Sequence, residues 1–229
     1  MPNVLITGAN RGIGLEFTRS FAADGWHVHA CCRSSDKAAD LKALSKTAGG
    51  AVSVHRVDVT DGLKVASLAR ELADVPLDIL LNNAGVYGPR TGFGETNYDD
   101  WPPVLAVNLL APMRMAERFV EHVAASERKL IVNISSRMGS IAQCTGGSYI
   151  YRSSKAALNM VVKCLSVDLA PRGLRVIAFH PGWVKTDMGG PNAEVAPARS
   201  VAGMRAVIEG LGPDDSGKFF SYDGAILPW

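Results

Sequence analysis

Tyr151 and Lys155 stand four residues apart, a spacing that can make a phenol and an ammonium into one proton-transfer group. On a helix, residues i and i+4 share a face and can meet one ligand. A tyrosine titrates near ~10, too high for an effective acid at neutral pH. Bringing it to about 7 takes about 4 kcal/mol. One positive charge at about 4 Å supplies about that much at an effective dielectric near 20. Lys155 is therefore expected to lower the Tyr151 phenol toward neutrality. Tyr149 is the competing phenol, but its i+4 partner is Ser153. In Asn133-Ile134-Ser135-Ser136, either serine could hydrogen-bond a substrate oxygen as charge develops on it.

A second constellation lies near the start of the chain. Val4-Leu5-Ile6-Thr7 reads as a short buried strand and runs into Gly8-Ala9-Asn10-Arg11-Gly12-Ile13-Gly14. A turn that joins a strand to a helix gathers backbone N–H groups and the positive end of the helix dipole at one spot. That spot suits a pyrophosphate. Gly12 and Gly14 let backbone and ligand approach closely. The spacing is G-x-x-x-G-x-G rather than G-x-G-x-x-G.

The end of the second strand bears on which dinucleotide is meant. An NAD site of this kind places a carboxylate there, on the ribose hydroxyls. This chain has Cys32-Arg33 instead. Asp36 is close in number, but it follows Ser34-Ser35 and suits the first turn of a helix. Arg33 and Arg11 offer two guanidinium groups, which match a phosphate bidentately. The expectation is NADP(H).

These residues need elements to position them, and the chain supplies a regular series. Strands are expected at about Val4–Thr7, Trp26–Cys32, Val52–Val57, Leu77–Leu81, Leu130–Ser135, Leu174–His180 and Gly217–Ser221. Helical stretches lie between them. They follow the glycine turn and span Asp36–Thr47, Asp61 through about Ala73, Asp99–Glu127, Tyr149–Ala170 and Pro197–Leu211. Pro112 is expected to kink the fourth. Strands alternating with helices imply βαβ crossovers, hence an α/β fold: a doubly wound parallel sheet covered on both faces. One domain over residues 1–229 is expected.

Composition closes off other classes. The chain has 24 Lys and Arg against 22 Asp and Glu, a net charge of +2, so no broad basic field points to nucleic acid. Apolar residues are 47% and charged residues 20%, ordinary for a globular chain. No run of about 18 apolar residues suggests a membrane span. The first residues do not read as a signal peptide. Cys31, Cys32, Cys144 and Cys164 contain no CxxC pair, so reduced thiols in the cytoplasm and no metal are expected.

Taken in order, Thr7-Gly8-x-x-x-Gly12-Ile13-Gly14, Asn82-Asn83-Ala84-Gly85 and Tyr151-x-x-x-Lys155 resemble the short-chain dehydrogenase/reductase family. The resemblance covers almost the whole chain. Asp58, Asn108, Ser136 and Pro181-Gly182 also fall in family order. The stretch Gly217–Gly224 with Leu227-Pro228-Trp229 looks like the carbonyl-reductase and C-factor branch.

The resemblance implies seven parallel strands in the order 3-2-1-4-5-6-7, with a Rossmann-type nucleotide site. It implies NADPH-dependent reduction of a carbonyl to an alcohol, with Tyr151 as general acid, Ser136 on the substrate oxygen and Lys155 also on the nicotinamide ribose. It implies that Asn108 holds a water linking Lys155 to solvent. Asp58 and Val59 would touch the adenine, one of Asn82 and Asn83 would brace the sheet, and Ala84-Gly85 would pass close to the cofactor. Pro181, Gly182, Val184 and Thr186 would flank the nicotinamide, and a loop over about 183–200 would cover the substrate. Trp183, Met188 and the Tyr87–Phe93 loop fit pocket walls and equally fit packing. His180 reads as structural.

Relatives commonly pair through the two long helices. Leu105, Leu109, Val161, Val162 and Leu165 exceed what one sheet-facing stripe needs, so a homodimer or homotetramer is expected. A signalling protein that keeps the fold without turnover is the competing class. Enoyl reduction or epimerisation is a third.

Overall fold

The computed structural model describes residues 1–34 and 38–229. Seven parallel strands form one sheet in the order β3-β2-β1-β4-β5-β6-β7, as the resemblance implies. They are β1 (Asn3–Thr7), β2 (His27–Cys32), β3 (Val52–Arg56), β4 (Ile79–Asn82), β5 (Leu130–Ile134), β6 (Arg175–His180) and β7 (Phe219–Ser221). Strand bounds differ from the sequence expectation by at most two residues.

Successive strand residues point to opposite faces, so one strand feeds two cores. Val4 and Ile6 pack with Phe17, Phe21, Leu41 and Met204. Those partners belong to α1 (Gly12–Ala23), α2 (Ala39–Thr47) and α7 (Pro197–Gly210). Leu5, between them, packs with Leu68, Met115, Phe119 and Val162 on the other face. These come from α3 (Gly62–Glu71), α5 (Ala111–Ala124) and α6 (Tyr149–Asp168). The first turn expected for α2, with Asp36, lies outside the described residues. Asp61 caps α3, its carboxylate accepting from the Leu63 and Lys64 amides at 3.0 and 3.1 Å.

The helix expected over Asp99–Glu127 is not continuous. A short α4 (Trp101–Leu105) gives way to a π-helical turn at Ala106–Leu110, and α5 follows. Pro112 has no N–H to give the Asn108 carbonyl four residues back, and it sits in the first turn of α5, where that lack is tolerated. The irregularity therefore precedes the proline and is a widened turn rather than a kink within a continuous helix. It places Asn108 fully inside the protein.

The direction in which strands are added to the sheet reverses between β1 and β4: β2 and β3 lie to one side, β4 through β7 to the other. Ligands of such sheets bind at this switch point, outside the carboxyl ends of the strands. Among the described residues, no helix is long and apolar enough to cross a membrane.

Candidate active site

The glycine turn sits at the switch point, and its neighbours dictate its composition. Gly8 and Gly12 have φ of +66° and +54°, the left-handed region where glycine carries no Cβ penalty. Gly14 has ordinary backbone but no room. A Cβ there would collide with the Gly8 carbonyl oxygen and stand 2.5 Å from Asn83 Nδ2. Arg11 is the N-cap residue of α1 and its side chain makes no capping bond. The first-turn amides of α1, from Gly12, Ile13 and Gly14, therefore have no side-chain acceptor at the cap.

Asn83 locks the turn to β4. Its Nδ2 donates to the Thr7 and Gly8 carbonyls at 2.9 and 3.2 Å, while Thr7 Oγ1 accepts from the Asn83 and Ala84 amides at 3.0 Å each. Asn82 does a different job: its Nδ2 donates to Asn133 Oδ1 at 3.0 Å, tying β4 to β5 in the buried sheet. Thr7, Val59 and Ala84 line one crevice at this edge.

At the next strand ends, Ser135 and Ser136 part company. The Ser135 hydroxyl donates to Asn159 Oδ1 at 2.6 Å and is consumed in the interior. The Ser136 hydroxyl accepts from the Met138 amide at 3.2 Å and stands close enough to the Tyr151 phenol to hold its pKa down. The structure thus brings Ser136, not Ser135, to Tyr151.

Lys155 follows one turn later on α6 and is 4% exposed. Its Nζ donates to the Ile134 carbonyl at 2.8 Å and lies 5.9 Å from the Tyr151 ring centre. Burial lowers this lysine to about 8, so it stays mostly charged at neutral pH.

The sequence argument expected the lysine to pull Tyr151 down, and here the direction is reversed. Burial pushes the Tyr151 phenol up to about 12, Ser136 opposes by hydrogen bonding, and Tyr87 adds to the rise. The Lys155 ammonium is turned to the Ile134 carbonyl. Desolvation wins. Tyr151 is protonated at neutral pH, the form that an acid needs.

Asn108 is buried, and its side chain is fully engaged. Oδ1 accepts from the Val86 amide at 2.9 Å; Nδ2 donates to the Val86 carbonyl at 2.8 Å and to Ser154 Oγ at 3.0 Å. The Ser154 hydroxyl in turn donates to the Tyr151 carbonyl at 2.7 Å. A Cβ on Gly85 would meet Asn108 Oδ1 at 3.4 Å and Lys155 Nζ at 3.7 Å, so this loop passes close to the lysine.

Across the cleft, the segment after β6 leans on the glycine turn. Thr186 Cγ2 would lie 3.1 Å from a Cβ on Gly12. Arg11 is paired with Asp187 at 2.6 Å, both side chains well exposed. Val184 is buried and forms a parallel bridge to Val195. The Pro181 carbonyl accepts from Ser200 Oγ, and Gly182 sits at φ +85° against Tyr222. Trp183 Nε1 donates to the Gly189 carbonyl at 2.8 Å, folding the loop on itself.

Arg33 is exposed after β2, and its charge reaches Asp58. Burial alone would raise the Asp58 carboxyl. Two hydrogen bonds from Thr60, with Arg33 and Lys64 nearby, outweigh it and hold the group below its usual range. His180 is held neutral by burial, lowered to about 4, as a structural residue would be. Among the described residues, no cluster of three or more His, Cys, Asp and Glu side chains is arranged to hold a metal.

Sequence reading gave no role to Ser148 and left Tyr87 as wall or packing. Tyr87 stacks on Tyr151, ring centres 4.2 Å apart. Ser148 holds the N-cap position of α6 at φ +47°, with no capping bond from its side chain. The tyrosine carries no periodic signal and lies 64 residues before its partner, so only the folded chain shows the contact.

A buried phenol–ammonium–hydroxyl group beside an anion-binding turn is the arrangement of a dinucleotide-dependent oxidoreductase. The family model described as short chain dehydrogenase matches residues 2–196. The chain belongs to that family. It is 43% identical to "C-signal" of Myxococcus xanthus over 164 residues, covering 71% of this chain and 99% of that one. The carbonyl reductase Sniffer of D. melanogaster superposes with a TM-score of 0.93 at 32% identity, over the full length of both chains. The NADPH-bound carbonyl reductase from chicken fatty liver gives 0.93 at 33%, covering 100% of this chain and 99% of that one.

Proposed function

We propose that this protein reduces a carbonyl on an apolar substrate to the alcohol, with NADPH. The observation that carries the reading is the convergence of Tyr151, Ser136 and Lys155 beside a glycine turn whose tight packing excludes any side chain at Gly14. The turn amides of Gly12, Ile13 and Gly14, with Asn10, would hold the pyrophosphate. Asp58 and Val59 would meet the adenine, Arg33 the 2′-phosphate, Lys155 the nicotinamide ribose, and Thr186 and Val184 the nicotinamide side. When bound, NADPH supplies the hydride to the carbonyl carbon.

The chain's part is the proton. Tyr151 Oη donates it to the carbonyl oxygen as negative charge builds there. An alkoxide approaches hydroxide in basicity, and the conjugate acid of hydroxide, bulk water, has a pKa of 15.7. A phenol near 12 therefore still transfers its proton downhill. Ser136 Oγ hydrogen-bonds the same oxygen, and the Lys155 ammonium stabilises the phenolate left behind. The Asn108 main-chain carbonyl, which receives no N–H from Pro112, is the acceptor we assign to a water serving Lys155. Phe93, Ile141, Trp183 and Met188 are exposed apolar side chains, and we assign them to the substrate pocket. They favour aldehydes and ketones with bulky apolar groups. A screen of NADPH consumption across aldehydes and ketones tests the reading, and no turnover with any of them would overturn it.

Arg33 should carry the cofactor preference. Arg33, whose charge reaches Asp58, is the principal cation we assign to a 2′-phosphate, with Arg11, in a weak exposed pair with Asp187, as a lesser second. A hydrogen bond to a charged group contributes about 1.5–3 kcal/mol, and solvent exposure favours the lower figure. Arg33→Ala is expected to raise the NADPH KM about tenfold and leave that of NADH nearly unchanged. Steady-state kinetics with both cofactors checks this; equal harm to both would return Arg33 to a structural role.

We also infer a homodimer or homotetramer through the outer faces of α5 and α6. Val162 and Leu165, expected there from sequence, instead face the sheet and are buried. Leu110, at the end of the π-helical turn before α5, and Met160 and Val167 on α6 are exposed apolar residues, at 52%, 64% and 63%. Sedimentation at micromolar concentration should give a multiple of 24.3 kDa, and the monomer mass alone would count against the pairing. Four free cysteines suit a cytoplasmic setting. The likeness to C-signal supports a second, signalling reading, in which the same fold acts without turnover. The carbonyl screen separates the two.

A further inference from the structure

Tyr87 touches both arms of the proton-transfer group. Its ring lies face to face on Tyr151, with centres 4.2 Å apart and planes 14° from parallel. Its hydroxyl donates to Met138 Sδ at 3.4 Å and lies 3.2 Å from Ser148 Oγ. Met138 is the residue whose amide donates to Ser136 Oγ. Ser148 is the N-cap of α6, three residues before Tyr151, held at φ +47°. A side-chain-bearing residue in the left-handed region persists only where its surroundings hold it. The Tyr87 hydroxyl is one such hold. One side chain thus reaches the turn that presents Ser136, the cap that starts the helix of Tyr151, and the Tyr151 ring itself.

The other groups around this stack are accounted for. Lys155 lies over the Tyr151 ring at 5.9 Å and donates to Ile134. Arg90 lies 4.7 Å over the Tyr87 ring. Since Tyr151 takes one face of Tyr87, Arg90 covers the other. Arg152, next to Tyr151 on α6, is spent on Thr145 and the Gly146, Gly147 and Met138 carbonyls.

We propose that Tyr87 is a positioning residue, which fixes Ser136 and Tyr151 relative to each other and shields one face of the Tyr151 ring from water. This rests on the reading of Tyr151 as proton donor. Simple packing predicts lost stability and nothing more. Positioning predicts a slower proton step with cofactor binding intact, since small displacements at a reacting group are costly. Shielding predicts a change in the pH at which Tyr151 gives up its proton, because desolvation disfavours the phenolate.

The experiment compares wild type, Tyr87→Phe, Tyr87→Leu, Ser148→Ala and Tyr151→Phe, using para-nitrobenzaldehyde with NADPH across the range where tyrosine titrates. Reduction needs both the Lys155 ammonium and the protonated phenol, so the rate falls first as Lys155 loses its proton and again, on the limb read here, as pH rises through the Tyr151 pKa. Tyr87→Leu should lower kcat about tenfold or more, with the NADPH KM within about twofold. Its alkaline limb should move about one unit to lower pH, because the phenol now meets water. Tyr87→Phe keeps the ring and should keep the wild-type limb, losing only a few-fold in kcat, as should Ser148→Ala. Wild-type kcat and limb in Tyr87→Leu would overturn the proposal. So would a kcat loss shared equally by the Phe and Leu variants, with NADPH KM rising alongside and the limb unmoved. Should Tyr87→Leu not fold, Tyr87→Phe and Ser148→Ala decide: reduced kcat at constant NADPH KM supports positioning, and wild-type kcat in both rejects it. An inactive Tyr151→Phe with unaffected Tyr87 variants sinks this inference alone; an active Tyr151→Phe sinks the proposed function with it.

Discussion

Tyr151→Phe should fold, bind NADPH with near wild-type affinity, and lose carbonyl reduction by at least about a hundredfold. A general acid is worth about 10²–10⁴ in rate, and burial favours an effect of that size here. The side chain is 6% exposed, so solvent has poor access to replace the missing proton. The substitution removes one oxygen and keeps the ring that stacks on Tyr87. Ser136 keeps its bond from the Met138 amide, so the site should hold its shape. Steady-state NADPH oxidation and a binding titration check the two halves separately. Wild-type turnover in the folded variant would remove Tyr151 from the chemistry.

Gly14→Ala should be nearly as damaging, by a different route. The added methyl would overlap the Gly8 carbonyl oxygen and press on Asn83 Nδ2, both of which belong to the locked turn. Neither is the far end of a flexible side chain, so the backbone must shift. Overpacking of this kind costs about 1–3 kcal/mol, or roughly 3–10 °C in Tm for a chain of this size. The shift also moves the amides of Gly12, Ile13 and Gly14. Losing two charge-assisted contacts at about 1.5 kcal/mol each weakens binding about a hundredfold. Thermal melting and NADPH titration are the measurements. Wild-type values in both would show that the turn tolerates a side chain.

The fold was readable because its signals are local. Each strand is a short apolar run, and helices of the right length separate them. The glycine turn and the Tyr151–Lys155 spacing are local too, and both fall at the same sheet edge. What escaped depends on contacts far apart in the chain. The residues alone left Ser135 and Ser136 open and only the resemblance favoured Ser136; the contact that occupies the other hydroxyl, at Asn159, lies on a different element. The direction of the Tyr151 shift depends on how deeply the ring is buried, which no spacing reports. The π turn at Ala106–Leu110 follows from Pro112 lacking an N–H, a local cause, but its outcome was an offset before the proline rather than a bend within the helix. Val162 and Leu165 were assigned to a subunit face because periodicity does not say which of two apolar faces meets the sheet.

The cleft is held very differently below and above. Its floor is pinned by buried amides, Asn82 to Asn133 and Asn83 to the glycine turn. Its roof is closed by two surface contacts, Arg11 to Asp187 and Arg90 to the Met188 carbonyl. An exposed ion pair contributes about 0–1 kcal/mol and weakens as salt screens it. The roof contacts are therefore expected to break at little cost while the buried floor holds. If the roof covers a bound molecule, added salt should shorten how long that molecule stays and scarcely touch proton delivery at Tyr151.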